Sequence, residues 1–406
     1  MPIEISERAK NLGTETAFVV SAEVNELKKK GIYPIELHIG DPDFVTPENI
    51  RGAAIKALNE GKTHYTASAG TPELKEAIAN YLSKSRGIHV DPKHVVAGPG
   101  SKFVIFGAVA ASTDHGVGHE VLYPNPGYPV YTADVGFLGV KAIPYTLHEK
   151  NDFRVDIDEL KSKINENARL LILNYPQNPT GSNLTEKDLK QISDIVLPYH
   201  RVRVLADEIY SRILYEGGFK SIASIPEMQE RTIILDGHSK TYAMTGWRLG
   251  YGTTPDEGVI NTFTKLATNL FACATSFVQP AGIEALNGPQ DEAKKMVETF
   301  KERRDIIVEG LNDIPGVTCK QPKGAFYAWA NVTDACKRVG VADAEELRKE
   351  LLYKAGVAVT ADIHFGQKIK GYDYIRLSYA ASVDDIGRGL RKIKNYVVEN
   401  SKVVHV

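Results

Sequence analysis

The residues of this chain with the richest chemistry each follow a short apolar run. Ser101 comes after Val95–Ala97 and a Gly-Pro-Gly turn, Asn178 after LLILNYP, Asp207 after RVLA, and Ser239 and Lys240 after TIILD. A lysine amine that is partly neutral forms a Schiff base with an aldehyde, and such lysines lie where neighbours depress the pKa. An aspartate beside a pyridine nitrogen keeps that nitrogen protonated and turns the ring into an electron sink. An arginine fork, available at Arg248 and Arg376, matches a carboxylate or a phosphate with two parallel hydrogen bonds. Singly, each of these is an ordinary surface residue. Together they carry information only if the fold brings them to one rim.

The elements that must do so are legible. Continuous apolar segments at Val95–Ala97, Glu120–Tyr123, Leu170–Asn174, Arg203–Ala206, Thr232–Asp236 and Leu249–Gly252 alternate with amphipathic stretches such as Thr185–Leu197. Buried strands alternating with helices predict a parallel or mixed sheet covered on both faces. In such α/β sheets the site lies on loops at the carboxyl ends of the strands, where the residues above stand. Asp291–Asn312 reads as one long helix. Beyond it, short strands (Ala325–Trp329, Tyr374–Tyr379) and helices near Asp343–Lys354 and Val383–Val397 have an α+β texture. The expected organisation is a large α/β domain over residues 47–290 and a smaller α+β domain formed by 1–46 and 291–406.

A chain of 406 residues is long enough for two domains. With 43% hydrophobic and 25% charged residues and a net charge of -2, it has ordinary globular composition and no electrostatic reason to bind nucleic acid or an anionic membrane. Cys273, Cys319 and Cys336 are scattered and odd in number, which suits a reducing compartment rather than a disulfide framework. The segment Met1–Gly13 carries acidic residues and no apolar run, so no signal peptide is expected, and no stretch reaches the ~18 apolar residues of a membrane span. A cytoplasmic location follows as the expectation. His38, His64, His89 and His94 lack ligand spacing, and no metal is expected. Gly98-Pro-Gly-Ser-Lys lacks the third glycine of a dinucleotide fingerprint and the spacing of a P-loop. Its backbone N–H groups at a helix N-terminus would nevertheless suit a dianion.

The segment Ser239–Tyr251, SKTYAMTGWRLGY, resembles the active-site lysine motif of the class I/II aminotransferases, which are fold type I pyridoxal-5′-phosphate enzymes. NYPQNPTG at Asn174–Gly181 and Asp207-Glu-Ile-Tyr210 resemble the family's other signatures. Further matches are GDPDF from Gly40, YTASAGTPEL from Tyr65, NPGYPVY from Asn125 and YIRLSY from Tyr374, all in family order. The style is most like the bacterial and archaeal aspartate aminotransferases. The resemblance implies a mostly parallel seven-stranded sheet in the large domain, pyridoxal phosphate as cofactor, and a homodimer with shared active sites. Carried over, it makes Lys240 the Schiff-base lysine, which moves a proton at the substrate Cα, and Asp207 the partner of the pyridine nitrogen. Tyr210 and Asn178 would hydrogen-bond the phenolic oxygen, and Tyr128 would stack on the ring. Ser101, Lys102 through its backbone, Ser239 and Arg248 would hold the phosphate, with Tyr65 reaching the phosphate of a neighbouring subunit. Arg376 would grip the substrate α-carboxylate, with Asn178 and the backbone of Gly40 close by.

The chain departs from that pattern in places. Gly237 stands where relatives often have a phosphate-contacting serine, and Val359-Thr-Ala-Asp-Ile-His-Phe-Gly replaces the usual segment before the carboxylate arginine. The expected activity is transfer of the amino group of an L-amino acid, aspartate or a broader set, to a 2-oxo acid such as 2-oxoglutarate. An aminotransferase for neutral or aromatic amino acids, and a lyase of the same fold, stay open, because fold and cofactor do not dictate which bond at Cα breaks. The apolar stretch NLFACATS at Asn269–Ser276 tilts towards neutral side chains.

Overall fold

The computed structural model describes residues 4–10, 12–14 and 17–402. Residues 1–3 and 403–406, the ends of the expected small domain, lie outside the described residues. Apolar runs form the large sheet, with strands in the order Val95–Gly98, Gly250–Thr253, Thr232–Gly237, Arg203–Asp207, Ala168–Asn174, Glu120–Asn125 and Lys141–Thr146. Gly250–Thr253 is antiparallel to both its neighbours, and the pairs from Thr232–Gly237 outward to Lys141–Thr146 are parallel. Most strands are buried along their whole length, as helices on both faces require. The edge strand Lys141–Thr146 is only partly buried and carries Pro144, so its sequence does not announce a strand.

Local signals set the helices. Thr185 and Asp188 form a reciprocal capping box at the start of Glu186–Val196, worth about 1 kcal/mol. Helix Pro72–Arg86 starts with Thr71 accepting from the Leu74 N–H and ends at Gly87, whose φ of 67° is left-handed, a conformation glycine takes without a Cβ penalty. A second sheet joins Thr360–Ala361, Tyr374–Ser378, Tyr327–Asn331 and Thr318–Cys319, antiparallel throughout. Asp291–Asn312 and Val383–Asn400 lie against each other beside it. The N-terminal segment joins this unit. Ile35–Glu36 pairs in parallel with Val357–Ala358, and Val20, Val24 and Leu27 of helix Ala17–Lys29 pack on Leu352 and Ala358. The Ser378 N–H then donates to the Leu37 carbonyl. Residues 37–40 are thereby laid along the strand that carries Arg376.

Candidate active site

Strand ends from both sheets open onto one cavity of about 500 Å³. Of the residues singled out from sequence, Gly40, Ser101, Lys102, Tyr128, Asn178, Asp207, Tyr210, Ser239, Lys240, Arg248 and Arg376 all line it. Tyr65 does not: it is 88% exposed and lies outside the cavity of its own chain.

Asp207 ends its strand with the carboxyl buried. Oδ2 accepts from the Tyr131 hydroxyl at 2.6 Å and Oδ1 from the Ile209 N–H at 3.3 Å. Burial pushes this carboxyl up to about 6, against the lowering effect of those two donors. Desolvation is the main cause, and the negative charges of Asp236 and Glu208 add to it, so a cationic partner facing Asp207 would bring it back down. The Asn174 amide ties to the Asp207 carbonyl at 3.2 Å, and its Oδ1 accepts from the Asn178 N–H at 3.0 Å. Two strand ends are thereby locked in register.

Lys240 donates from Nζ to the Gly40 carbonyl at 2.7 Å and lies 5.8 Å from the centre of the Phe326 ring. Gly40 is obligatory for a steric reason, since a Cβ there would overlap the Tyr327 hydroxyl. The Thr245 hydroxyl donates to Asp41 at 2.6 Å, joining the lysine loop to the Gly40 loop a second time.

Arg376 is buried with its guanidinium between the rings of Tyr327 and Phe365, 4.4 and 4.6 Å from their centres. Nη1 donates to the Asn178 side-chain oxygen at 2.9 Å and Nη2 to the His38 carbonyl at 2.6 Å. A guanidinium only donates, so it fixes the Asn178 amide with its oxygen towards Arg376. Tyr210 and Tyr327 share a hydroxyl hydrogen bond of 2.7 Å, and burial raises the Tyr210 pKa well above its ordinary value. Both groups expected on the phenolic oxygen are therefore pre-positioned by neighbours.

Ser101 precedes helix Lys102–Ser112 without spending its hydroxyl on a capping bond. Beside it, Arg248 adopts a left-handed φ of 56°, a strained conformation for a side-chain-bearing residue. Its Nη1 donates to the Thr245 carbonyl at 2.7 Å. A Cβ on Gly100 would overlap the Arg248 guanidinium, and one on Gly250 would lie 2.5 Å from the Ser101 nitrogen. These glycines let a guanidinium, a helix N-terminus and a serine hydroxyl converge, an arrangement suited to a phosphate dianion. At Gly237 an added Cβ would meet the Gly250 Cα at 3.0 Å, a tight approach.

These residues fit pyridoxal phosphate: a buried acid for a pyridine nitrogen, an amine for an aldehyde, a glycine-lined cradle for a phosphate, and the Tyr128 ring for the pyridine face. Among the described residues no group of His, Cys, Asp or Glu is arranged to hold a metal ion. Sequence reasoning missed Tyr131, Tyr327, Phe365 and Asn174. Tyr131 closes the quoted NPGYPVY segment and Asn174 opens NYPQNPTG, so both were within reach; Tyr327 and Phe365 become site residues only through tertiary packing.

The chain matches the family Aminotransferase class I and II over residues 33–393. It is 35% identical to the aspartate aminotransferase of Geobacillus stearothermophilus, over 97% of this chain and 99% of that protein. The crystal structure of the aspartate aminotransferase from Rhizobium meliloti superposes with a TM-score of 0.92 at 32% identity, covering 99% of this chain and 100% of the other. An alanine aminotransferase from Pyrococcus furiosus superposes at 0.90 and 32% identity, covering 98% and 100%. The chain belongs to the class I and II aminotransferases, and it is a fold type I, pyridoxal phosphate-dependent enzyme that transfers amino groups between amino acids and 2-oxo acids.

Proposed function

We propose that the enzyme takes the amino group of L-aspartate, within a broader set of L-amino acids, and passes it to 2-oxoglutarate, with Lys240 as the Schiff-base lysine. The observation that carries this reading is that an amine (Lys240), a buried acid (Asp207) and a buried guanidinium (Arg376) face one cavity from three separate loops. Pyridoxal phosphate, when bound, supplies an electron sink for negative charge at the substrate Cα. Asp207 holds the proton on the pyridine nitrogen. Tyr128 covers the ring face, Tyr210 and the Asn178 amide donate to the phenolic oxygen, and Ser101, Ser239, Arg248 and the Lys102 N–H bind the phosphate. Arg376 would fix the α-carboxylate and so orient the Cα–H bond towards Lys240, whose amine would take the proton at Cα.

Lys102 supports an acidic side chain in the substrate. Its ammonium lies 6.0 Å from the Phe18 ring centre and 5.8 Å from that of Tyr128, on the wall of the same cavity. A cation there offers the second carboxylate of a dicarboxylic substrate a charge-assisted hydrogen bond. The test compares aspartate, alanine, phenylalanine and 2-aminoadipate as donors to 2-oxoglutarate by kcat/KM, in the native enzyme and in Lys102→Met. Loss of the charge lowers kcat/KM for aspartate by about 10–100-fold and leaves alanine within about threefold. A native preference for alanine or phenylalanine overturns the acidic assignment in favour of a neutral-substrate enzyme. Ammonia and a 2-oxo acid released without an acceptor would instead indicate a lyase.

The same reading includes a two-fold homodimer in which Tyr65, exposed in its own chain, serves the neighbouring site. It also includes the division into residues 47–290 and 1–46 with 291–406, supported by the separation of the seven-stranded sheet from the four-stranded and two-stranded ones, and a cytoplasmic location. Cys319 and Cys336 are free and buried, and no helix among the described residues is long and apolar enough to cross a membrane.

A further inference from the structure

Helix Pro72–Arg86 ends on an arginine that turns inward. The Arg86 side chain is 1% exposed. Its Nε donates to Glu208 at 2.8 Å, and its Nη2 to Asp236 at 2.7 Å and to the Ser211 hydroxyl at 2.8 Å. Nη1 donates to the Ser85 hydroxyl at 2.9 Å. The second oxygen of each acid is also satisfied: Ser221 donates to Glu208 at 2.5 Å, and the Gly237 N–H to Asp236 at 2.7 Å. The rings of Tyr81 and Phe219 flank the guanidinium, 5.5 and 5.0 Å from their centres.

One buried cation serving two buried acids is a poor way to stabilise a fold, because well-packed apolar residues do as well or better. Its position suggests another role. Glu208 directly follows Asp207, and Asp236 is the penultimate residue of the adjacent strand, four residues before Lys240, with Asp207 in register with Leu235. Neither acid, nor Arg86, lines the cavity. We propose that Arg86 is a positioning residue of the cofactor site, a cation that clamps the turn carrying Asp207 to the turn carrying Lys240. The proposal rests on the assignment of Asp207 and Lys240 made above.

The surrounding charges support it. Burial pushes Asp236 up to about 6 and Arg86 opposes that rise, while the negative charges of Asp236 and Glu208 both raise Asp207. Tyr81 from the same helix and Tyr251 from the antiparallel strand face the network with raised pKa values, so neither ionises near neutrality. Tyr242, also raised, meets Arg212 at its hydroxyl. Without Arg86, two carboxylates confront each other at high pH and push the two turns apart. At lower pH a shared proton would join them.

The experiment measures binding of pyridoxal phosphate to cofactor-free protein by its visible absorbance, at about pH 6 and about pH 8. Arg86→Met should weaken binding at least about tenfold at the higher pH and less than about threefold at the lower, because the uncompensated acids are neutralised there. Arg86→Met with Asp236→Asn removes one of the two facing charges and should bind within about threefold of the native protein at both pH values. A helix that merely needed a long side chain would show neither the pH dependence nor the rescue. Native-like binding by Arg86→Met at the higher pH overturns the proposal, as does a defect equal at both pH values and unrelieved by Asp236→Asn. Should Arg86→Met not fold, the double variant decides: folding and binding support the clamp, and failure overturns it. Lys240→Ala is the control. Persistence of the lysine-dependent absorbance in that variant defeats the assignment of Lys240, whereas its loss alongside a native-like Arg86→Met defeats the clamp alone.

Discussion

Replacing Asp207 by asparagine should stabilise the cofactor-free protein while disabling the loaded enzyme. The carboxyl is held at about 6 by burial, against an ordinary value near 4. Its folded-state pKa is raised, so its favourable contribution is present below about pH 4 and is lost as pH rises through about 6. Above that range the folded protein bears a penalty of about 3 kcal/mol, and at pH 5 of about 1.5 kcal/mol. The asparagine amide cannot ionise and avoids the penalty. It keeps one of the two acceptor contacts, to Tyr131 or to the Ile209 N–H, and losing the other costs about 1 kcal/mol. The net expectation is a gain of about 2 kcal/mol at pH 8 that shrinks to about 0.5 kcal/mol at pH 5. Urea unfolding of both cofactor-free proteins at the two pH values measures it. With cofactor bound, the same substitution removes the partner proposed for the pyridine nitrogen, and kcat should fall by several orders of magnitude. A destabilised Asp207→Asn protein at pH 8, or a stability difference that does not change between pH 5 and pH 8, would refute the electrostatic argument.

Gly100→Ala should weaken cofactor binding by about 10–100-fold, because the new methyl group displaces the Arg248 guanidinium and Gly100 holds a φ of +81° that alanine resists; equilibrium dialysis of the cofactor checks this, and unchanged affinity would mean the cradle is not the phosphate site. Arg376→Ala should raise KM for both amino acid and 2-oxo acid by about 100-fold or more while cofactor stays bound, since it removes a bidentate charge-assisted contact. Steady-state kinetics decide, and an unchanged KM would place the carboxylate elsewhere.

Much of the fold was readable because buried parallel strands are continuous apolar runs. The reading reached Val95–Gly98, Glu120–Asn125, Ala168–Asn174, Arg203–Asp207 and Thr232–Gly237 to within a residue or two. It failed at Lys141–Thr146, whose partial burial leaves no apolar run to find. The long helix Asp291–Asn312 announced itself through charges at helical spacing on an element with one buried face.

The convergence of the candidate site residues on one cavity was legible where one residue per loop suffices. Lys240, Asp207 and Arg376 follow or sit on strands, and strand order fixes where such residues emerge. What no linear pattern could supply is what holds those groups. Tyr327 supports Tyr210, Phe365 and Tyr327 sandwich Arg376, and Arg86 bridges residues 122 and 150 positions away. The sequence by itself determined which reactive side chains follow which strands, because residue type and strand-end position are local properties. Tertiary structure alone decided their distances, partners and proton affinities, because burial and charge pairing arise between segments far apart in the chain.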